Sequence, residues 1–150
     1  MATFYYCPDC GSVYGHFFKP DCAYTTPCPK ADCGGDVFEV DELMLPTIME
    51  LNKKGYITEF CCSGHWAETF SAPYIKFQSL MDYEKQYLQN SLPEPWFFEE
   101  DDIIIRVSPR YFVNSDNPVK KFEQICYVNK ILFEWAYNLK DYEDADYYSD

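Results

Sequence analysis

Cys7-Pro8-Asp9-Cys10-Gly11 and Cys28-Pro29-Lys30-Ala31-Asp32-Cys33-Gly34-Gly35 place four thiols in two short knuckles near the start of the chain. Thiolates held two by two in this way close a tetrahedron around Zn²⁺. Each knuckle runs straight into glycine, where a tight turn takes a positive φ and backbone N–H groups point at sulfur. The second knuckle departs from the usual spacing, with four residues rather than two between Cys28 and Cys33. Cys22 and His16 therefore stay open as replacement ligands. A closed four-thiolate site leaves no position for water, so the zinc it predicts is structural rather than catalytic.

Outward from the knuckles, Thr3-Phe4-Tyr5-Tyr6 leads into the first, and Asp36-Val37-Phe38-Glu39-Val40 alternates polar and apolar on leaving the second. The stretch between them accommodates a hairpin or an extended loop. Knuckle, hairpin, knuckle and strand make the zinc-ribbon pattern, expected over residues 1–40. From Asp41 the period becomes helical. Leu43, Leu45, Ile48 and Leu51 recur on one face, Pro46 sets the helix start near Leu45, and Gly55 ends it. Strands are expected at Tyr56–Cys61, Tyr74–Phe77 and Ile103–Val107, with a helix from Leu80 to Leu92 between the last two. Asn117-Pro118 opens a long helix whose apolar stripe reads Phe122, Ile125, Cys126, Leu132, Phe133, Ala136 and Leu139. The fold class is therefore α+β: a zinc ribbon over 1–40, a small α-β-β-α-β-α domain over 41–140, and an acidic tail over 141–150.

Composition narrows the partners. The 150 residues carry a formal charge of -13, so a phosphate backbone or an anionic membrane is repelled, and direct nucleic-acid binding is not expected. The apolar stretch near the C-terminus is broken by Asn129, Lys130 and Glu134, which excludes a membrane span there. Eight cysteines suffice for four disulfides, yet Met1-Ala2-Thr3-Phe4 has neither a basic nor an apolar leader region. Reduced thiols in a cytoplasm are the expectation.

Cys61-Cys62-Ser63-Gly64-His65 is the second concentration of chemistry, two thiols, a hydroxyl and an imidazole where a strand ends. Cys62, Ser63, Gly64 and His65 are candidate ligand-binding residues, and Cys62 with His65 is a candidate nucleophile pair if the geometry joins them. The plain alternative is a packed Cys61 and a tight turn. Glu99-Glu100-Asp101-Asp102 lacks the spaced oxygens and glycine of a calcium loop and reads as a solvated strand entry or a carboxylate surface for a basic partner. Tyr137, Tyr142, Tyr147 and Tyr148 gather near the C-terminus, either as a docking patch or as cover for the last helix.

The segment from Leu51 through Gly55-Tyr56 to Cys61-Cys62-Ser63-Gly64-His65 resembles a group of small proteins from bacteriophages, prophages and Firmicutes. In that group a helix ending in Asn-x-Lys-Gly-Tyr runs into a strand and a Cys-Ser-Gly-His turn, and a Tyr-Ile-x-Phe strand follows, as Tyr74–Phe77 does here. The resemblance spans residues 1–80 and brings no activity with it. The same turn is faintly similar to the Thr-Ser-Ser-Cys-Ser-Gly-Arg turn of wybutosine-type tRNA-modifying proteins, but His65 stands where that motif has arginine. That similarity implies only that the turn lines a ligand site. The resulting expectation is a non-enzymatic zinc protein of phage or mobile-element origin that inhibits a host protein with a basic surface. The alternatives are a module binding a small nucleotide-like ligand at Cys62–His65 and an enzyme with a Cys/His site.

Overall fold

The computed structural model describes residues 3–15, 26–65, 71–112 and 117–141. His16, Cys22, Tyr142, Tyr147 and Tyr148 lie outside the described residues, so neither the replacement ligands nor the acidic tail can be placed.

The first sheet is antiparallel and built around β1 (Thr3–Tyr6) and β4 (Asp36–Asp41). The short strands β2 (Val13–Tyr14) and β3 (Thr26–Pro27) flank them in the order β2-β1-β4-β3. Tyr6 pairs with Phe38 and Phe4 with Val40, so the centre of one face of this sheet is aromatic and aliphatic. It is not a separate core. Tyr6 and Val40 belong to the same buried cluster as Met44, Ile48 and Leu51.

Helix α1 (Leu45–Lys53) follows with Pro46 in its first turn and ends before Gly55, as the sequence predicts. The second sheet has the order β5-β6-β8-β7, all antiparallel, from β5 (Thr58–Cys62), β6 (Tyr74–Phe77), β7 (Trp96–Glu99) and β8 (Ile104–Val107). Helix α2 (Asp82–Ser91) connects β6 to β7, and α3 (Pro118–Asn138) closes the described fold. Asn117 caps α3 by accepting the Val119 amide at 2.9 Å, which is why the helix begins at Pro118.

Four expectations need correction. Trp96–Glu99 is a strand, so the second part is α-β-β-α-β-β-α. Its Trp-Phe-Phe run does not alternate with polar residues, and strand pairing with β8 rather than local pattern defines it. Residues 100–102 consequently form the turn of the β7–β8 hairpin, not a strand entry. Strand β8 starts at Ile104 because Ile103 takes a φ of 55°, which removes it from extended geometry. On α3, Phe122 is exposed and Cys126 and Phe133 are half-buried, while Val128, Asn129 and Trp135 complete the buried face.

The inner face of the second sheet packs Ile75, Phe77, Ile105, Val107 and Trp96 against the helices, with the Trp96 indole donating to the Val128 carbonyl at 2.8 Å. Lys54 sits past the end of α1 and donates to the Ala136 and Tyr137 carbonyls at 2.6 and 2.5 Å, adding a charged donor to the last turn of α3, where Ala136 also accepts the Leu139 amide at 3.3 Å. Lys54→Met keeps the aliphatic stem and removes the donors. It is expected to lower unfolding free energy by about 1–2 kcal/mol in urea denaturation; no shift in the midpoint would refute this capping role.

Candidate metal centre and the Cys62 to His65 turn

Strand β1 delivers Cys7 into the first knuckle, where Gly11 N–H donates to the Cys7 carbonyl at 2.8 Å and Cys7 N–H to the Ser12 carbonyl at 3.0 Å. The second knuckle closes when Cys28 N–H reaches the Gly35 carbonyl at 2.8 Å at the start of β4. The register of β1, β3 and β4 then brings the knuckles together. The Sγ atoms of Cys7, Cys10, Cys28 and Cys33 all lie within 4.8 Å of one another. Cys7 and Cys33 are 3.6 Å apart and Cys10 and Cys28 3.7 Å apart. A tetrahedral ion with metal–sulfur bonds of about 2.3 Å needs sulfur–sulfur edges of about 3.8 Å, so these two edges fit. Disulfide bonding at about 2.05 Å does not, and all four cysteines are free.

The surroundings suit anionic sulfur. Amide groups of Asp9 and Cys10 face Cys7, and the Gly35 amide faces Cys33. The Ser12 hydroxyl lies 3.1 Å from Cys10 and the Tyr14 hydroxyl 3.7 Å from Cys28. The Ser12 hydroxyl, and then the Ser12 amide, hold the Cys10 thiol down to about 6, whereas burial pushes Cys7 up to about 12. Cys7 and Cys10 thus differ in how readily each gives up its proton, and a cation would make a common thiolate state favourable. At Gly35 a Cβ would come within 3.0 Å of Asp9 Cβ, so the two knuckles meet there only because glycine has no side chain. Cys7, Cys10, Cys28 and Cys33 are thereby brought close enough together to hold one metal ion. Ser12 and Tyr14 were not singled out in the sequence, although their places just after the first knuckle were a signal that hydroxyls would sit beside its sulfurs.

The Cys62–His65 turn is held in place largely through its main chain. Ser63 and Gly64 are buried, Cys62 is half-buried and His65 is exposed. The Ser63 N–H donates to Asp41 Oδ2 at 3.2 Å, and the Ser63 carbonyl accepts from Asn129 Nδ2 on α3 at 3.0 Å. Gly64 has a φ of 103°, with Ser71 O 3.1 Å and Ile125 Cδ1 3.3 Å from where a Cβ would stand. His65 pairs through its backbone with Ser71, in both directions, at 3.0 and 3.1 Å. The Cys62 sulfur accepts the Gly64 amide at 3.4 Å and lies 3.9 Å from the Ser71 hydroxyl. The backbone groups of Ser63 and His65 are thus joined to the protein itself. Three cavities among the described residues take their walls elsewhere: one beside Phe38 and Phe60, one beside Tyr74 and Arg106, and one beside Tyr87 and Trp135.

No protein-family model, curated protein or solved structure matches the chain. Among the described residues no helix is long and apolar enough to cross a membrane.

Two outcomes follow from this geometry. Burial, reinforced by Asp41 and then Cys62, pushes the Cys61 thiol from its ordinary 9.0 up to about 12. A raised acid pKa stabilises the fold fully below the unfolded value near 9, and that contribution is lost as pH rises towards 12. Alkaline titration followed by circular dichroism is therefore expected to show stability falling above pH 9, less so in Cys61→Ala. A Cys61 that alkylates at pH 8 as fast as a free thiol would contradict it. Asn129→Leu removes the buried hydrogen bond to the Ser63 carbonyl and is expected to cost about 1–3 kcal/mol, read from the thermal or urea midpoint.

Proposed function

We propose that the chain is a non-enzymatic zinc-binding protein, in which the four-thiolate site of a zinc ribbon organises the N-terminal sheet and an acidic surface docks a protein with a basic face. Zinc is the ion favoured by four sulfurs in a tetrahedron, with iron the chemical competitor. Four thiolates fill the coordination sphere, so the ion supplies folding free energy rather than a reactive water.

The observation that carries the partner reading is the β7–β8 turn. Glu100, Asp101 and Asp102 are exposed, and the ion pairs among the described residues, Lys54–Glu50 and Arg106–Glu99, involve none of them. Three neighbouring carboxylates without a cation of their own raise the local negative potential of a chain already at -13. Such a turn steers a basic groove and fixes its register more than it adds raw affinity. By the likeness of its Leu51–His65 segment the protein acts on a host target of a phage or mobile element, in a cytoplasm that keeps the thiols reduced.

Elemental analysis of the purified chain is expected to give about one zinc per molecule, lost together with the N-terminal sheet in Cys10→Ser or Cys33→Ser. Iron at that stoichiometry would overturn the zinc assignment. Replacing Glu100, Asp101 and Asp102 by lysine is expected to abolish capture of a host protein that the unaltered chain retains at low salt. Equal capture by the variant would place the interface elsewhere.

A further inference from the structure

The two sheets meet where β5, an outer strand of the second, comes alongside β4 of the first. Between them lies a cavity of about 250 Å³ whose walls are all described residues, among them Tyr6, Phe38 and Glu39 from the first sheet and Glu59, Phe60 and Tyr74 from the second. Four aromatic side chains from two separate sheets therefore border one gap. Tyr6 belongs to the core, but Phe38 is 50 % and Phe60 58 % exposed. Grouped exposed apolar side chains, unlike scattered ones, mark interaction sites.

The charged walls of this cavity are of one sign. Glu39 and Glu59 are both exposed, and neither belongs to an ion pair among the described residues. The Tyr5 hydroxyl donates to Glu39 Oε1 at 3.4 Å, a neutral contact that leaves the carboxylate's charge in place. No lysine or arginine is among the walls, and Lys76, the cross-strand partner of Phe60, stands outside them. The Asn52 amide, also in the wall, is spent within the protein. Its nitrogen donates to the Ile48 carbonyl at 2.8 Å and the Thr58 hydroxyl at 3.0 Å, and its oxygen accepts the Thr58 amide at 3.3 Å. What the cavity leaves unmet is a positive charge beside aromatic surface.

We propose that this cavity receives an arginine side chain of the basic protein partner, its guanidinium stacked on the Phe60 ring and paired with Glu59 and Glu39. A guanidinium is planar and weakly hydrated and carries its N–H donors in a fixed fork, so it lies on an aromatic face and meets carboxylates at its edge together. An ammonium, a compact and strongly hydrated charge, is the poorer fit. The volume is below the range of about 300–1,000 Å³ usual for drug-sized ligands, and it admits one long side chain. The choice of a protein-borne cation over a free one rests on the basic partner proposed above, to which the cavity adds an anchor at the opposite edge of the second sheet from β7.

Amide NMR of the intact chain titrated with the blocked peptide acetyl-Gly-Ser-Arg-Ser-Gly-amide tests this. Saturable shifts are expected at millimolar peptide, centred on Phe38, Glu39, Glu59 and Phe60. Peptides with citrulline or leucine in place of arginine are expected to bind at least about tenfold more weakly, citrulline keeping the shape without the charge and leucine the apolar contact alone. Phe60→Leu and Glu59→Gln are each expected to weaken binding about three- to fivefold, the size of an exposed cation–π or ion-pair contact, and Glu39→Gln with Glu59→Gln together about tenfold. Circular dichroism establishes that each variant is folded. Glu123→Gln, which removes the same charge from an exposed position on α3, is the control expected to bind as the unaltered chain does. Shifts that do not saturate by about 20 mM peptide, shifts centred elsewhere, a citrulline or leucine peptide that binds as well, or affinity indifferent to Phe60 and Glu59 would each overturn the proposal. If the peptide fails to bind while host capture still depends on the β7–β8 turn, only the cavity's role falls; if the peptide binds while capture is indifferent to the turn, only the turn's role falls.

Discussion

The backbone of Ser63 is held from both sides, and much of the architecture depends on that grip. Asp41, the last residue of β4, accepts the Ser63 amide through one carboxylate oxygen and the Met44 amide at the entrance to α1 through the other. Asn129, midway along α3, donates to the Ser63 carbonyl and to its own helix at Ile125. A single buried residue thereby links the end of the first sheet, the start of α1, the turn after β5 and the longest helix. Both backbone groups of Ser63 are satisfied, which is the condition for burying them, and the carboxylate contact is stronger than a neutral one. Removing either side chain breaks a hydrogen bond to Ser63 at the junction of four elements.

The four-cysteine cluster bears on the same junction from a distance. Strand β4 begins beside the second knuckle and ends at Asp41, so the strand that the cysteines help to position is the one that presents the carboxylate to Ser63. Tyr6 and Val40 carry the apolar face of this sheet into the common core. Order in the thiolate site is thus transmitted by one continuous strand, and a cation bound there stabilises more than its own loop through linkage to the native state.

Local chemistry in the sequence was a sound guide where one segment decides its own structure. Pro46 and Gly55 bracket α1, Asn117-Pro118 starts α3, and the paired cysteines meet, because caps, breakers and knuckle turns act within a few residues. What escaped was decided by distant pairing. Trp96–Glu99 becomes a strand only beside Ile104–Val107, and the acidic residues after it become a turn for the same reason. The Cys62–His65 turn drew attention by its reactive side chains, whereas its main-chain contacts with Asp41, Asn129 and Ser71 lie 22, 66 and a few residues away in sequence. Asn129 read as a polar break in an apolar helix. Its neighbours in space, not its place in the periodic pattern, make it a buried donor.

Strand β5 lies at the margin of its sheet, and its pairing with β6 shifts register between Thr58 and Phe60. An outer strand with a regular row of unpaired amides and carbonyls is a template on which another chain can extend the sheet, and an exposed phenylalanine there would strengthen the attachment. The bulge at Glu59 breaks the repeat and puts a charged residue at the irregularity. A protein with so many outward aromatic side chains is in this way guarded against growing, edge upon edge, into fibrils.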